Sequence, residues 1–111
     1  METEQAVLIL AALGQPTRLE VFRLLVRTDK PIAAGDVAAA LNIPRNTMSS
    51  HLAVLSRAAL IRGVRSGKNI FYSANLTRLR ALTAYLVDGC CADQPGLCDP
   101  ELSEIKNLSG S

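Results

Sequence analysis

The feature that most limits how this chain can fold is the short break Asn42-Ile43-Pro44, set between two helical patterns. Ala34 to Leu41 forms one short helix. Arg45 to Ala59 forms a second, with Met48, Leu52, Leu55 and Ala59 at successive spacings of 4, 3 and 4. That is a single inward stripe on the helical period. The opposite side carries Arg45, Asn46, Thr47, Ser49, Ser50, Ala53 and Arg57. Two short helices joined by a tight turn, the second presenting small polar and basic side chains outward, predict a helix-turn-helix.

The next segment extends that unit. Leu60 to Arg65 and Ile70 to Ser73 are β-prone runs separated by Ser66-Gly67-Lys68-Asn69, a hairpin signal. A hairpin directly after such a helix is a wing. Upstream, Glu2 to Leu13 is helical and ends at Gly14, with Val7, Leu8, Leu10, Ala11 and Leu13 spread over more than one side. Pro16 suits the first turn of a second helix, in which Leu19, Val21, Phe22, Leu24, Leu25 and Val26 build a buried face before Asp29-Lys30-Pro31 breaks it. Downstream, Thr77 to about Gly89 is helical, with Thr77 as its cap and Leu79, Leu82, Tyr85 and Leu86 on one side. The expected fold class is mainly α: a winged helix-turn-helix of about five helices plus a two-stranded β wing. Residues 1–93 form the folded domain, and 94–111, with Pro95, Gly96 and Pro100, form an irregular and mobile tail.

A chain of 111 residues is one domain's worth, and a domain this small buries a modest share of its surface. The surplus apolar surface of the first and last helices, at Val7, Leu8, Leu10, Ala11, Leu79, Leu82 and Leu86, therefore predicts a homodimer. No apolar run reaches the length of a membrane span, and Ala6 to Leu13 follows two glutamates without a basic leader, so a soluble, unexported protein is expected.

The formal net charge of +2 hides a segregation. Val37 to Val87 holds Arg45, Arg57, Arg62, Arg65, Lys68, Arg78 and Arg80 and no acidic residue, whereas Asp88 to Ser111 holds five acids and one lysine. An uncompensated cationic block on a helix-turn-helix and wing attracts a polyanion, and double-stranded DNA is the partner it suits. Thr47, Ser49 and Ser50 are short groups for base edges or phosphates, and two adjacent serines lower helix propensity without local reward. Arg45 and Asn46 reach farther, and Arg65 and Lys68 on the wing suit phosphate or the minor groove.

Three cysteines, Cys90, Cys91 and Cys98, follow the last helix. The number is odd and adjacent cysteines do not readily bridge each other, so they read as free thiols in a reducing compartment, the cytoplasm. Three thiolates without a nearby histidine suit a three-coordinate thiophilic ion such as trivalent arsenic or antimony. Other readings stay open at this point: another soft metal, an oxidation or persulfide signal, or cysteines as plain small hydrophobes. A thiol-based metal buffer that binds no DNA is a further alternative, against which the acid-free block argues. With one histidine, no Gly-rich phosphate loop and no identifiable acid-base carboxylate pair, an enzyme is not expected, nor an organic cofactor.

Four strings in order carry a more specific likeness: Ala12-Leu13-Gly14-Gln15-Pro16-Thr17-Arg18-Leu19, Thr47 to Leu55, Ala59-Leu60-Ile61, and a wing ending in Phe71-Tyr72. From about Leu10 to Leu86 the chain resembles the ArsR/SmtB family of metalloregulatory repressors. The resemblance implies a winged-helix homodimer paired through its first and last helices, holding an imperfect palindrome in operator DNA until an inducer releases it. It also implies a DNA-side place for His51, which the residues alone leave balanced against a structural role. The paired Cys90-Cys91 with Cys98 is similar to the C-terminal arsenic site of one branch. Two departures stand out. Pro44 replaces the serine that usually caps the recognition helix, leaving an amide in need of another acceptor. Gly35 to Ala39 lacks the Cys-Val-Cys of the founding arsenic sensors, and the zinc sensors' carboxylate and histidine set is missing too, since His51 is the sole histidine.

Overall fold

The computed structural model describes residues 1–88. Cys90, Cys91, Cys98, the expected domain boundary after residue 93 and the expected mobile tail lie outside the described residues. Helix α1 (Thr3–Leu13) opens with the Gln5 side-chain carbonyl accepting the Glu2 amide at 3.0 Å. It buries Ala6, Ile9 and Ala12, which recur every third residue on one face. Helix α2 (Pro16–Arg27) has Pro16 at its first position, where a missing N–H costs nothing, and the Gln15 side chain accepts the Arg18 amide at 2.8 Å.

Only Val21, Phe22 and Leu25 of α2 are buried. Leu19 and Val26, expected in the same face, are 44% and 39% exposed. The apolar residues of α2 wrap farther round the helix than the roughly 100° arc that a neighbouring element covers. Val21 and Phe22 join Ile9, Val37, Met48, Leu52, Leu55, Leu60 and Leu82 in one core.

The helix-turn-helix forms as expected from α3 (Ala34–Leu41) and α4 (Arg45–Arg57). Asn42 makes the break possible by adopting a left-handed φ of 55°, which lets the Ile43 amide reach back to the Ala38 carbonyl at 2.9 Å. Helix α4 ends the same way. Ala59 takes φ 60°, the Leu60 amide donates to the Leu55 carbonyl at 3.0 Å, and the Ala59 amide to Ser56 at 2.9 Å. The left-handed residue swings the chain, so the last member of the inward stripe is the fully buried Ala58 rather than Ala59.

The wing consists of β2 (Ile61–Ser66) and β3 (Asn69–Ala74), in antiparallel register from Ile61 opposite Ala74 to Ser66 opposite Asn69. Gly67 and Lys68 form the turn. Gly67 has φ +63° and Lys68 lies outside the left-handed region, the pattern of a type II′ turn, which demands glycine at its first central position. The sheet has a third strand that sequence reading did not foresee: β1 (Ile32–Ala33), ahead of α3, pairs with β3 so that the order is β1-β3-β2. This pairing anchors the base of the wing to the start of the helix-turn-helix.

Helix α5 (Leu76–Leu86) begins at Asn75, not at the expected cap Thr77. The Asn75 side chain is turned away from its own helix, because its amide group donates to the Ala59 carbonyl at 2.9 Å. Among the described residues no helix is long and apolar enough to cross a membrane.

Candidate DNA-reading face and pairing face

Every outward residue expected on the recognition helix is exposed: Arg45, Asn46, Thr47, Ser49, Ser50 and Arg57. The orphan amide left by Pro44 is partly answered by Asn46, whose side-chain oxygen accepts from the Thr47 amide at 2.9 Å. Asn46 is therefore folded onto its own helix and must turn outward before it can contact a base. The Ser50 hydroxyl sits 3.5 Å from the Asn46 carbonyl, one turn back.

His51 is half-buried rather than projecting, with its Nδ1 3.5 Å from Arg18 Nη1. A guanidinium only donates, so Nδ1 is the acceptor and the ring proton of a neutral imidazole sits on Nε2. Arg18 also donates from Nε to the Ala12 carbonyl at 2.7 Å and from Nη2 to the Ala11 carbonyl at 3.4 Å. It thus ties the carbonyl end of α1 to the middle of α4.

The pleat of the wing sorts its basic residues. Residues directly opposite each other share a face, so Arg65, opposite Ile70, lies on the side of Tyr72, and Arg62, opposite Ser73, lies on the other. Arg65 and Lys68 are exposed. Between the Tyr72 side of the wing and the recognition helix lies a cleft of about 290 Å³, bordered by Arg45 and Ser49 of α4 and by Lys68 and Asn69 of the hairpin.

Two members of the cationic block make hydrogen bonds within the protein, Arg62 at its surface and Arg78 half-buried. Arg62 Nη2 donates to the Asn75 side-chain oxygen at 3.3 Å, and Arg78 Nε donates to the Ala58 carbonyl at 3.2 Å. Together with the Asn75 amides, bonded to the Leu60 carbonyl at 2.8 Å and to Ala59, they fasten the start of α5 to the end of α4. Sequence reading counted both in the cationic block without giving either a DNA contact, and it had no signal for the internal partners they find.

The expected pairing residues divide in a similar way. Val7, Leu8 and Leu10 are 58%, 45% and 46% exposed on α1, Ala11 is exposed beside them, and Leu86 is 55% exposed at the end of α5. Leu79 is half-buried. Leu82 is 3% exposed within the single chain, so its side chain belongs to the monomer core and has no surface left for a partner. Helices α1 and α5 are held side by side by a 2.6 Å hydrogen bond between the Thr3 and Tyr85 hydroxyls. Among the described residues no group of three or more His, Cys, Asp or Glu side chains is placed to hold a metal ion.

A helix-turn-helix domain family model matches residues 13–64, which run from the end of α1 into the wing. The transcriptional repressor SdpR of Bacillus subtilis is 38% identical over 72 residues, covering 65% of this chain and 78% of that protein. The chain belongs to the ArsR/SmtB family. An SmtB homologue of Synechocystis, a transcriptional repressor, is 29% identical over 65% of this chain and 53% of its own length. The solved structure of an ArsR-like regulator from Rhodococcus superposes with a TM-score of 0.71 at 26% identity, covering 95% of this chain and 92% of that one. The relatives are DNA-binding transcription regulators, not enzymes, and an ArsR/SmtB winged helix is the architecture described above.

Proposed function

We propose that the protein is a homodimeric cytoplasmic repressor that holds an imperfect-palindromic operator and releases it on capturing trivalent arsenic or antimony at Cys90, Cys91 and Cys98. The observation that carries this reading is the fastening of α5 to α4. Helix α5 ends at Leu86, shortly before the first of the thiols, and its other end is bonded to the terminus of the recognition helix. An ion captured beyond α5 then acts on an element tied directly to the reading helix.

The rest of the reading follows from chemistry. The exposed apolar strip on α1 and the Leu86 end of α5 favours a second copy of the chain, since burying each valine or leucine recovers hydrophobic free energy. Thr47, Ser49, Ser50 and Arg57 face the major groove, and Arg45, Arg65 and Lys68 face the phosphates. His51 supports the helix through Arg18. Three thiolates balance the charge of a trivalent ion and match its three-coordinate preference, and the reducing cytoplasm keeps them available. The ion must favour the DNA-free arrangement by a coupling free energy of about 1–3 kcal/mol.

The test is release of a fluorescent duplex, taken from DNA upstream of the protein's own gene, on adding arsenite, antimonite, cadmium, zinc or peroxide. Arsenite and antimonite should release the wild type and leave a Cys90/Cys91/Cys98→Ser triple variant bound. Normal release by arsenite from Cys98→Ser would reduce the site to two thiols. Release by peroxide alone would replace ion capture with oxidation.

A further inference from the structure

The cleft between the wing and the recognition helix has the chemistry of an anion seat. Arg45 stands on one wall and Lys68 on the other, while Ser49 and Asn69 supply uncharged polar groups. Among the described residues no carboxylate lines it; Asp36, in the first turn of α3, stays outside the lining. Helices α3 and α4 both start at this cleft, through Gly35 and Arg45, and each adds the partial positive charge of its first turn. Beneath the polar rim lie Met48 and Leu52, both buried, so the seat is shallow and one side of a bound group meets apolar surface.

Gly35 explains how Arg45 comes to be there. A Cβ at residue 35 would collide with the Arg45 guanidinium, so the absent side chain is the space in which that group lies. Glycine within the first turn of a short helix otherwise lowers its stability relative to alanine. The colliding atoms are the far end of a flexible side chain, so an alanine would displace Arg45 without disturbing the backbone.

We propose that this cleft seats a single backbone phosphate of each DNA half-site, gripped by Arg45 from the recognition helix and Lys68 from the wing, with Gly35 as the positioning residue that makes room for Arg45. The inference rests on the DNA-binding reading and adds to it one named atom group of the duplex. The occupied cleft bridges α4 and the hairpin, so the phosphate fixes the wing relative to the reading helix.

The experiment is a methylphosphonate scan, in which each phosphate of a duplex selected by the protein from a random-sequence library is neutralised singly and affinity is read by fluorescence anisotropy. For the wild type, one position per half-site should lose about tenfold or more, the scale of a charge-assisted hydrogen-bond pair. Gly35→Ala and Lys68→Ala should each bind the unmodified duplex more weakly and lose little further at that same position, with undiminished penalties elsewhere. Thermal melting should show Gly35→Ala folded and no less stable than wild type. Equal penalties at every position in wild type and variants would overturn the proposal, as would an unchanged affinity for Gly35→Ala. A wild type that enriches no duplex at all would instead remove the DNA-binding reading on which the inference stands.

Discussion

Replacing Leu8 tests the pairing face directly, because its side chain lies outside the core cluster of the single chain. It stands 45% exposed on the outer side of α1, beside Val7 and Leu10. Full burial of a leucine is worth about 1.5–3 kcal/mol, so covering the remaining half recovers about 1 kcal/mol. A twofold interface contains the residue twice. Leu8→Ala should therefore weaken the dimer by about 2 kcal/mol, roughly thirtyfold in its Kd. Leu8→Asp should do far more, since two carboxylates would be desolvated without partners. Sedimentation over a concentration series reads the dimer Kd. DNA titrations at matching concentrations should show affinity falling only where the dimer dissociates. An unchanged Kd for Leu8→Asp would remove this face of α1 from the interface, and a wild type that stays monomeric at tens of micromolar would refute pairing itself.

Two further substitutions probe the junction of α4 and α5. Ala59→Gly should stabilise the protein by about 0.5–1 kcal/mol and raise Tm by several degrees, because glycine adopts the left-handed conformation without the Cβ clash and loses only part of that gain through its freer unfolded chain; a lower Tm would contradict the capping geometry. Arg78→Ala should cost about 1–2 kcal/mol in chemical denaturation by leaving the Ala58 carbonyl without its charged donor. Arg78→Lys should keep DNA affinity at low salt yet fail to restore stability if Arg78 supports the fold, whereas full rescue of both by lysine would make Arg78 a point charge toward phosphate rather than a geometric support of the fold.

Much of the fold was legible because its signals are local. The stripe Met48-Leu52-Leu55 and the Asn42-Ile43-Pro44 break are complete within a few turns of chain, and the hairpin follows from Gly67 and its neighbours. Strand β1 was not legible, since Ile32 and Ala33 are too few to show alternation and gain strand character only by pairing with Phe71 and Tyr72 far along the chain. Leu82 and Leu86 look equivalent on a helical wheel. One is buried in the core and the other, at the last residue of α5, is 55% exposed, a difference no sequence pattern records. The role of Arg78 depends on the Ala58 carbonyl left over at a helix end, and that of Arg62 on the Asn75 side-chain oxygen thirteen residues along the chain, pairings that no local pattern marks. Asn75 displaced Thr77 as the start of α5 for the same reason, its side chain being drawn to the Ala59 carbonyl. The space at Gly35 was hidden too, although a glycine in the opening turn of a short helix is a visible anomaly.

The knot of bonds at Ala58, Ala59 and Leu60 makes the junction between two helices stiff where a loop would have made it loose. Under the proposed function, a torque delivered at the far end of α5 would reach α4 through these bonds as rotation, the two rods acting like the arms of a single bent crank. Control by that route would call for no melting of structure: a small turn at the handle would swing the side chains of the other arm out of step with the groove.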